Sequence, residues 1–117
     1  MVEKGSVPIT DDFMKSAMTQ TRPYSVLLLR GTPALSDPGA RAIVWEHGRR
    51  NFQLRAEGTL AIVVPIPEPG SPVVGIGIFT TSVEETTRIM QEDPGVKAGI
   101  FTFEVHAGRS FPGDALP

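Results

Sequence analysis

The stretch from Asp37 to Gly58 carries a helix signal at both ends, and this constrains the rest of the chain more than any other feature. Asp37 reads as the N-cap and Pro38 as the first helical residue. A continuous pattern then runs through Glu57, and Gly58 stands where a left-handed residue ends a helix. A helix of this length must bury one face, and the flanking segments supply the surface. Before it, Tyr24 and the run Val26 to Leu29 read as a short strand, apolar on both sides. After it, Leu60 to Val64 read as a second strand, closed by the loop PIPEPGSP, whose prolines cannot continue in a central strand.

A third strand is expected at residues 73–79, where Val74, Ile76 and Ile78 alternate with Gly75 and Gly77. Ser82 followed by Glu85 matches a capping box and opens a second helix over Val83 to Glu92, with Val83, Thr86, Thr87 and Met90 inward. Pro94 stops it, since the residue before a proline disfavours helical geometry. Ile100 to His106 alternates as a fourth strand. The order strand, helix, strand, strand, helix, strand predicts an α+β ferredoxin-like sandwich, one antiparallel sheet with both helices on one side. The other sheet face then needs a cover. Because the first strand is apolar on both faces, the expected cover is a second copy, giving a homodimer.

At 117 residues the chain fits one domain, read here as residues 22–117 preceded by an arm over residues 1–21. Within the arm, Thr10 or Asp11 could cap a short helix with Phe13 and Ala17 on one side. Its 12 glycines and 11 prolines, about a fifth of all residues, mark turns around a folded core. A formal charge of -2 provides no cationic field for nucleic acid or an anionic membrane surface. No window approaches a signal-peptide core or a membrane span, so the expectation is a soluble, cytoplasmic protein. The absence of cysteine removes disulfides, thiolate metal sites and cysteine nucleophiles.

With two histidines far apart in sequence, no spacing matches a dedicated metal site, and neither a phosphate loop nor a nucleophile elbow is present. Attention therefore falls on His47, which shares a helical row with Ile43, Asn51 or Arg50, and Leu54. An imidazole there can take and return protons if a substrate reaches it, or serve as a hydrogen-bonded packing residue. Asp93 has two readings as well: the acid that orients an imidazole, or the cap of a turn in PGVKAG. Arg50 is the arginine placed to meet an anionic substrate, and Asn51 lies beside it. Gly75 and Gly77 leave one strand face bare for a helix, a backbone or a ligand. His106, at the end of the last strand, is read as lining the same cavity or the dimer seam, and Glu104, two residues earlier, would need a partner if buried. Trp45 and Phe52 fall on another side of the first helix and are expected to pack against a loop or a partner.

Taken in order, WEHGRRNFQLRAEGTL, VVGIGIF and SVEETTRIMQEDPGVKAGIFTFEV resemble the YCII-related domain family, over about Tyr24 to Phe111. The resemblance implies a dimeric α+β barrel, in a superfamily that also holds muconolactone isomerases and cofactor-free monooxygenases. It also implies a histidine and an aspartate in a cleft, matching His47 and Asp93. Relatives often carry glycine-proline at the end of strand two, where this chain has Val64 and Pro65, so the substrate is left open. The expected function is proton transfer on a small cyclic or aromatic metabolite, of isomerase or lyase type, with no metal or organic cofactor. A non-catalytic small-molecule-binding or accessory protein and a cofactor-independent monooxygenase are the alternatives.

Overall fold

The computed structural model describes residues 7–117. Its sheet is built around β1 (Arg22–Gly31), with β4 (Phe101–Ser110) on one side and β3 (Val73–Phe79) on the other. Strand β2 (Leu60–Pro65) is the edge beyond β3, and every neighbouring pair is antiparallel. Pro65 is tolerated because an edge strand has one side without ladder partners. Helices α2 (Ala40–Ala56) and α3 (Val83–Gln91) and the single turn α4 (Pro94–Lys97) cover one face. This is the expected ferredoxin-like α+β sandwich.

The pleat sorts the central strand. Leu27 and Leu29 point to the helices and are buried in one core with Ala40, Leu54, Phe79, Met90 and Phe101. Val26 and Leu28 point the other way, opposite Ile78 and Ile76, and remain half-buried in the single chain. The two buried leucines lie opposite Gly77 and Gly75. A Cβ on Gly77 would fall 3.1 Å from Phe79 Cε2 and 3.2 Å from Leu60 Cδ1, whereas one on Gly75 would meet only ordinary contacts at 3.7 Å and beyond. Gly77 is thus filled by its neighbours, while Gly75 keeps the strand surface low.

Helix α2 starts later than its sequence signal suggests. Asp37 is not its N-cap: the chain makes a 3-10 turn over Pro33–Ser36, Asp37 is extended before Pro38, and Gly39 takes a left-handed φ of 90° to enter α2 at Ala40. The extended Asp37 follows from the proline after it, and only glycine adopts the reversal without cost. At the other end Gly58 behaves as expected. With φ 79° it lets Thr59 N donate to Leu54 O (3.0 Å) and Gly58 N to Arg55 O (3.0 Å), the paired bonds of a Schellman cap.

Ser82 caps α3 by accepting from Glu85 N at 3.1 Å, and of the expected inward stripe Thr86 and Met90 are fully buried. The buried Thr86 and Ser25 hydroxyls are satisfied at the same corner, bonded to the Thr81 hydroxyl and the Thr81 carbonyl, each at 2.7 Å. Strand β4 runs four residues past His106, because Ala107–Ser110 continue the ladder against Arg22–Ser25 after their side chains stop alternating. Trp45 and Phe52 are 71% and 68% exposed.

Gly77→Ala should lower stability by about 1–3 kcal/mol through overpacking, with Gly75→Ala costing less. Chemical denaturation of both variants checks the difference.

Candidate active site

Where α3 ends, the chain makes a one-turn helix that could not persist alone. Both of its ends are closed. Asp93 Oδ2 accepts from Gly95 N (2.9 Å) and Val96 N (3.2 Å), with Pro94 in the first helical position. At the other end Gly99, φ 75°, lets Ile100 N donate to Gly95 O (2.9 Å) and Gly99 N to Val96 O (3.0 Å). The turn therefore fixes the position and direction of the Asp93 carboxylate, which is fully buried.

Its other oxygen faces α2. His47 Nδ1 donates to Asp93 Oδ1 at 2.7 Å, so the two readings of Asp93, cap and imidazole partner, hold together on separate oxygens. Burial pushes this carboxyl up, but the His47 hydrogen bond and charge, with the Val96 and Gly95 amides, outweigh it and hold Asp93 below the usual carboxylate range. An ionised Asp93 accepts from Nδ1 and so fixes the neutral imidazole as the tautomer with an unprotonated Nε2. The ring lies tilted on Phe101, centroids 4.8 Å apart, and Asn51 Nδ2 donates to Nε2 at 3.2 Å. Gly95 is needed beneath this arrangement: a Cβ there would sit 2.6 Å from Phe101 Cε2.

His47 and Asn51 line a cleft between α2 and the β2–β3 half of the sheet, part of a cavity of about 1020 Å³ that also takes in Ile76 and Ile78 on the other sheet face and the C-terminal segment. Its walls are mostly aliphatic, including Leu27, Leu29, Val44 and Val63. Gly75 and Gly77 form part of its floor. Two expected site residues lie elsewhere. Arg50 is on the α4 side of α2, its buried Nη1 3.9 Å from Asp93 Oδ1, and it does not line the cleft. His106 is on the opposite sheet face, exposed, with Nε2 3.0 Å from Glu104 Oε2. There Glu104 also pairs with Arg30, whose hydrogen bond lowers its pKa.

Sequence reasoning missed Arg55, which does line the cleft, and Phe101 beneath the imidazole. Arg55 was within reach, since it stands eight residues from His47 and four from Asn51 on α2. Phe101 was not, because its contact depends on how α4 joins β4. Among the described residues, no group of three or more His, Asp or Glu is placed to hold a metal ion, and no helix is long and apolar enough to cross a membrane.

The fold and site together define a ferredoxin-like α+β protein with a histidine–aspartate pair at the wall of an apolar cleft. No protein-family model matches the sequence, and no curated protein matches it. Among solved structures it is similar to 5-chloro-2-hydroxyhydroquinone dehydrochlorinase (TftG) from Burkholderia phenoliruptrix AC1100, in complex with 2,5-dihydroxybenzoquinone. The TM-score is 0.51 with 15% identity, covering 77% of this chain and 95% of that one. At that identity the likeness bears on the fold, and it supports the YCII-like architecture.

A depressed Asp93 stabilises the native state fully above the ordinary carboxylate value of about 3.9, and this contribution is lost as pH falls through the lower native value. The stability gap between wild type and Asp93→Asn should therefore be widest near neutrality and shrink toward low pH. Denaturant melts across that range measure it. Asp93→Ala, which also removes the cap, should cost about 3 kcal/mol or more.

Proposed function

We propose that this chain is a small enzyme acting by proton transfer on a small cyclic or aromatic compound, with His47 as general base and Asp93 as the residue that orients it. The observation that carries the reading is the 2.7 Å bond from His47 Nδ1 to a fully buried Asp93, which leaves Nε2 beside Asn51 at the cleft. A base in this setting needs the substrate's proton-bearing atom within about 3 Å of Nε2, and the Asn51 amide is then released to bind the substrate. As the imidazole becomes cationic, the Asp93 charge behind it stabilises the product of the transfer.

Two outcomes balance. In an elimination from a halogenated hydroquinone, Nε2 takes a proton from a ring O–H, and the imidazolium returns it to the carbon bearing the halogen, giving a keto tautomer with that carbon tetrahedral. Nε2 then takes a second O–H proton, and the freed electron pair moves through the conjugated system to expel the halide with its bonding electrons, leaving a quinone. In an isomerisation, the imidazolium returns the proton to a different carbon. Neither step requires an oxidant, a reductant or a cofactor. Elimination is favoured because the structural neighbour is named a dehydrochlorinase of a chlorinated hydroquinone. Arg55 at the same cleft favours a substrate with a phenolate or carboxylate group. The working unit is proposed to be a homodimer in which a second copy covers Val26, Leu28, Ile76 and Ile78 on the open sheet face.

One observation favours a second reading, a binding protein without turnover. Asn51 Nδ2 already donates to the Nε2 lone pair that a base must use.

His47→Ala should reduce turnover of halogenated hydroquinones by about 10²–10⁴-fold with the assembly unchanged in sedimentation. An active, folded variant contradicts His47 as the general base. Binding of 2,5-dihydroxybenzoquinone without turnover of any such substrate supports the alternative.

A further inference from the structure

We propose that helix α1 (Asp11–Met18) of one copy docks on the outer flank of α2 of a second copy, in the groove between Trp45 and Phe52. Two apolar surfaces of this chain lack a partner, and each has what the other needs.

Thr10 caps α1 by accepting from Phe13 N at 3.0 Å, yet none of the helix residues is buried. Phe13, Met14, Ala17 and Met18 fall within one arc of about 140°, and Asp11, Asp12, Lys15 and Ser16 occupy the rest. Phe13 is 56% and Met18 58% exposed, on an eight-residue helix too short to be stable in water without a surface beneath it.

The receiving surface is on α2. Val44, Gly48 and Phe52 repeat at a spacing of four, with Trp45 beside them. They enclose a groove of about 500 Å³. Gly48 opens it, since a Cβ there would meet nothing within 4 Å. Arg41 and Arg49 flank the groove, opposite in charge to Asp11 and Asp12 at the start of α1. Among the described residues Arg41 has no ion-pair partner, and Arg49 has only Glu46 of its own helix.

The chain's own arm is poorly placed to fill this groove. Arg109 of β4 donates to the Thr21 hydroxyl and carbonyl, each at 2.9 Å, so α1 departs from the β4 edge of the sheet. The groove adjoins the cleft over the β2–β3 half, with which it shares Val44, Gly48 and Phe52. The radius of gyration of 17.4 Å exceeds the roughly 13 Å of a compact chain this long, as an undocked arm requires. Exchange with a second copy satisfies both surfaces, and a two-fold axis makes the exchange reciprocal. A helix seated there extends the outer wall of the cleft.

Trp45 is the single tryptophan, so its fluorescence reads the groove directly. The full chain is examined by emission wavelength and sedimentation over a dilution series, alongside Phe13→Asp, Arg41→Glu with Arg49→Glu, and that pair combined with Asp11→Lys and Asp12→Lys. Circular dichroism confirms that each variant is folded. The expected result is blue-shifted Trp45 emission that reddens as the assembly dilutes. Phe13→Asp should redden it at all concentrations and weaken arm-dependent association about tenfold or more. The arginine reversal should weaken docking, and the combined charge swap should restore it. Solvent-exposed emission in the wild type overturns the proposal. So does a blue shift that survives Phe13→Asp, which means another occupant, or one independent of concentration in a monomer, which means the chain's own arm. None of these readouts involves turnover, so they are independent of whether His47 is a catalytic base.

Discussion

One buried carboxylate ties the helical layer of this protein to its candidate chemistry. Asp93 divides its oxygens, one to the amides of Gly95 and Val96 and the other to the His47 ring. The first set of bonds makes the turn after α3 a stable structure, and through Gly95 it brings Phe101 under the imidazole. The second fixes the ring's rotation and tautomer. A buried carboxylate without these donors would tend to protonate, and a protonated Asp93 would lose its charge on His47. The cap and the candidate base therefore depend on each other.

The sheet gives this pair a place to act. Between Leu27 and Leu29 on β1 and the side chains of α2, the glycine-bearing β3 lies low, and the cleft opens above it. Gly77 is occupied by Leu60 and Phe79, so that glycine serves packing, while Gly75 keeps ordinary clearance at the cleft floor. The two residues look equivalent in the alternating pattern and differ only once the neighbouring strand is in place. Polar groups are sparse along the cleft, with His47 and Asn51 on its α2 wall and Arg55 further along the same helix.

Much of this was legible in the sequence, for local reasons. Gly58, Ser82 and Pro94 act within a few residues of themselves, so the ends of α2 and α3 they govern fall where the pattern places them. The start of α2 differs from its signal because Asp37 and Pro38 form a strong local start pattern that the left-handed Gly39 displaces by two residues. His47 and Asp93 were visible as candidates, but their meeting across 46 positions follows from no spacing in the sequence and was implied only by the family resemblance. Arg50 and Arg55 differ only in their angle around α2, and which of them reaches the cleft depends on where α2 settles on the sheet. His106 follows the alternation of its strand to the face away from the cleft, a consequence of pleat parity that can be worked out only after Phe103 and Val105 are known to face the helices.

Everything at the site turns on Asp93 holding His47 as the tautomer protonated on Nδ1, with an unprotonated Nε2 that accepts from Asn51 at the cleft. Long-range proton–nitrogen NMR of the imidazole ring tests it directly, and with only two histidines the signals are assigned against a His106→Gln variant. In the neutral ring, Nδ1 should be protonated and Nε2 unprotonated, with this preference weakened in Asp93→Asn. A ring protonated on Nε2 in the wild type, or a tautomer balance unchanged by Asp93→Asn, would contradict it.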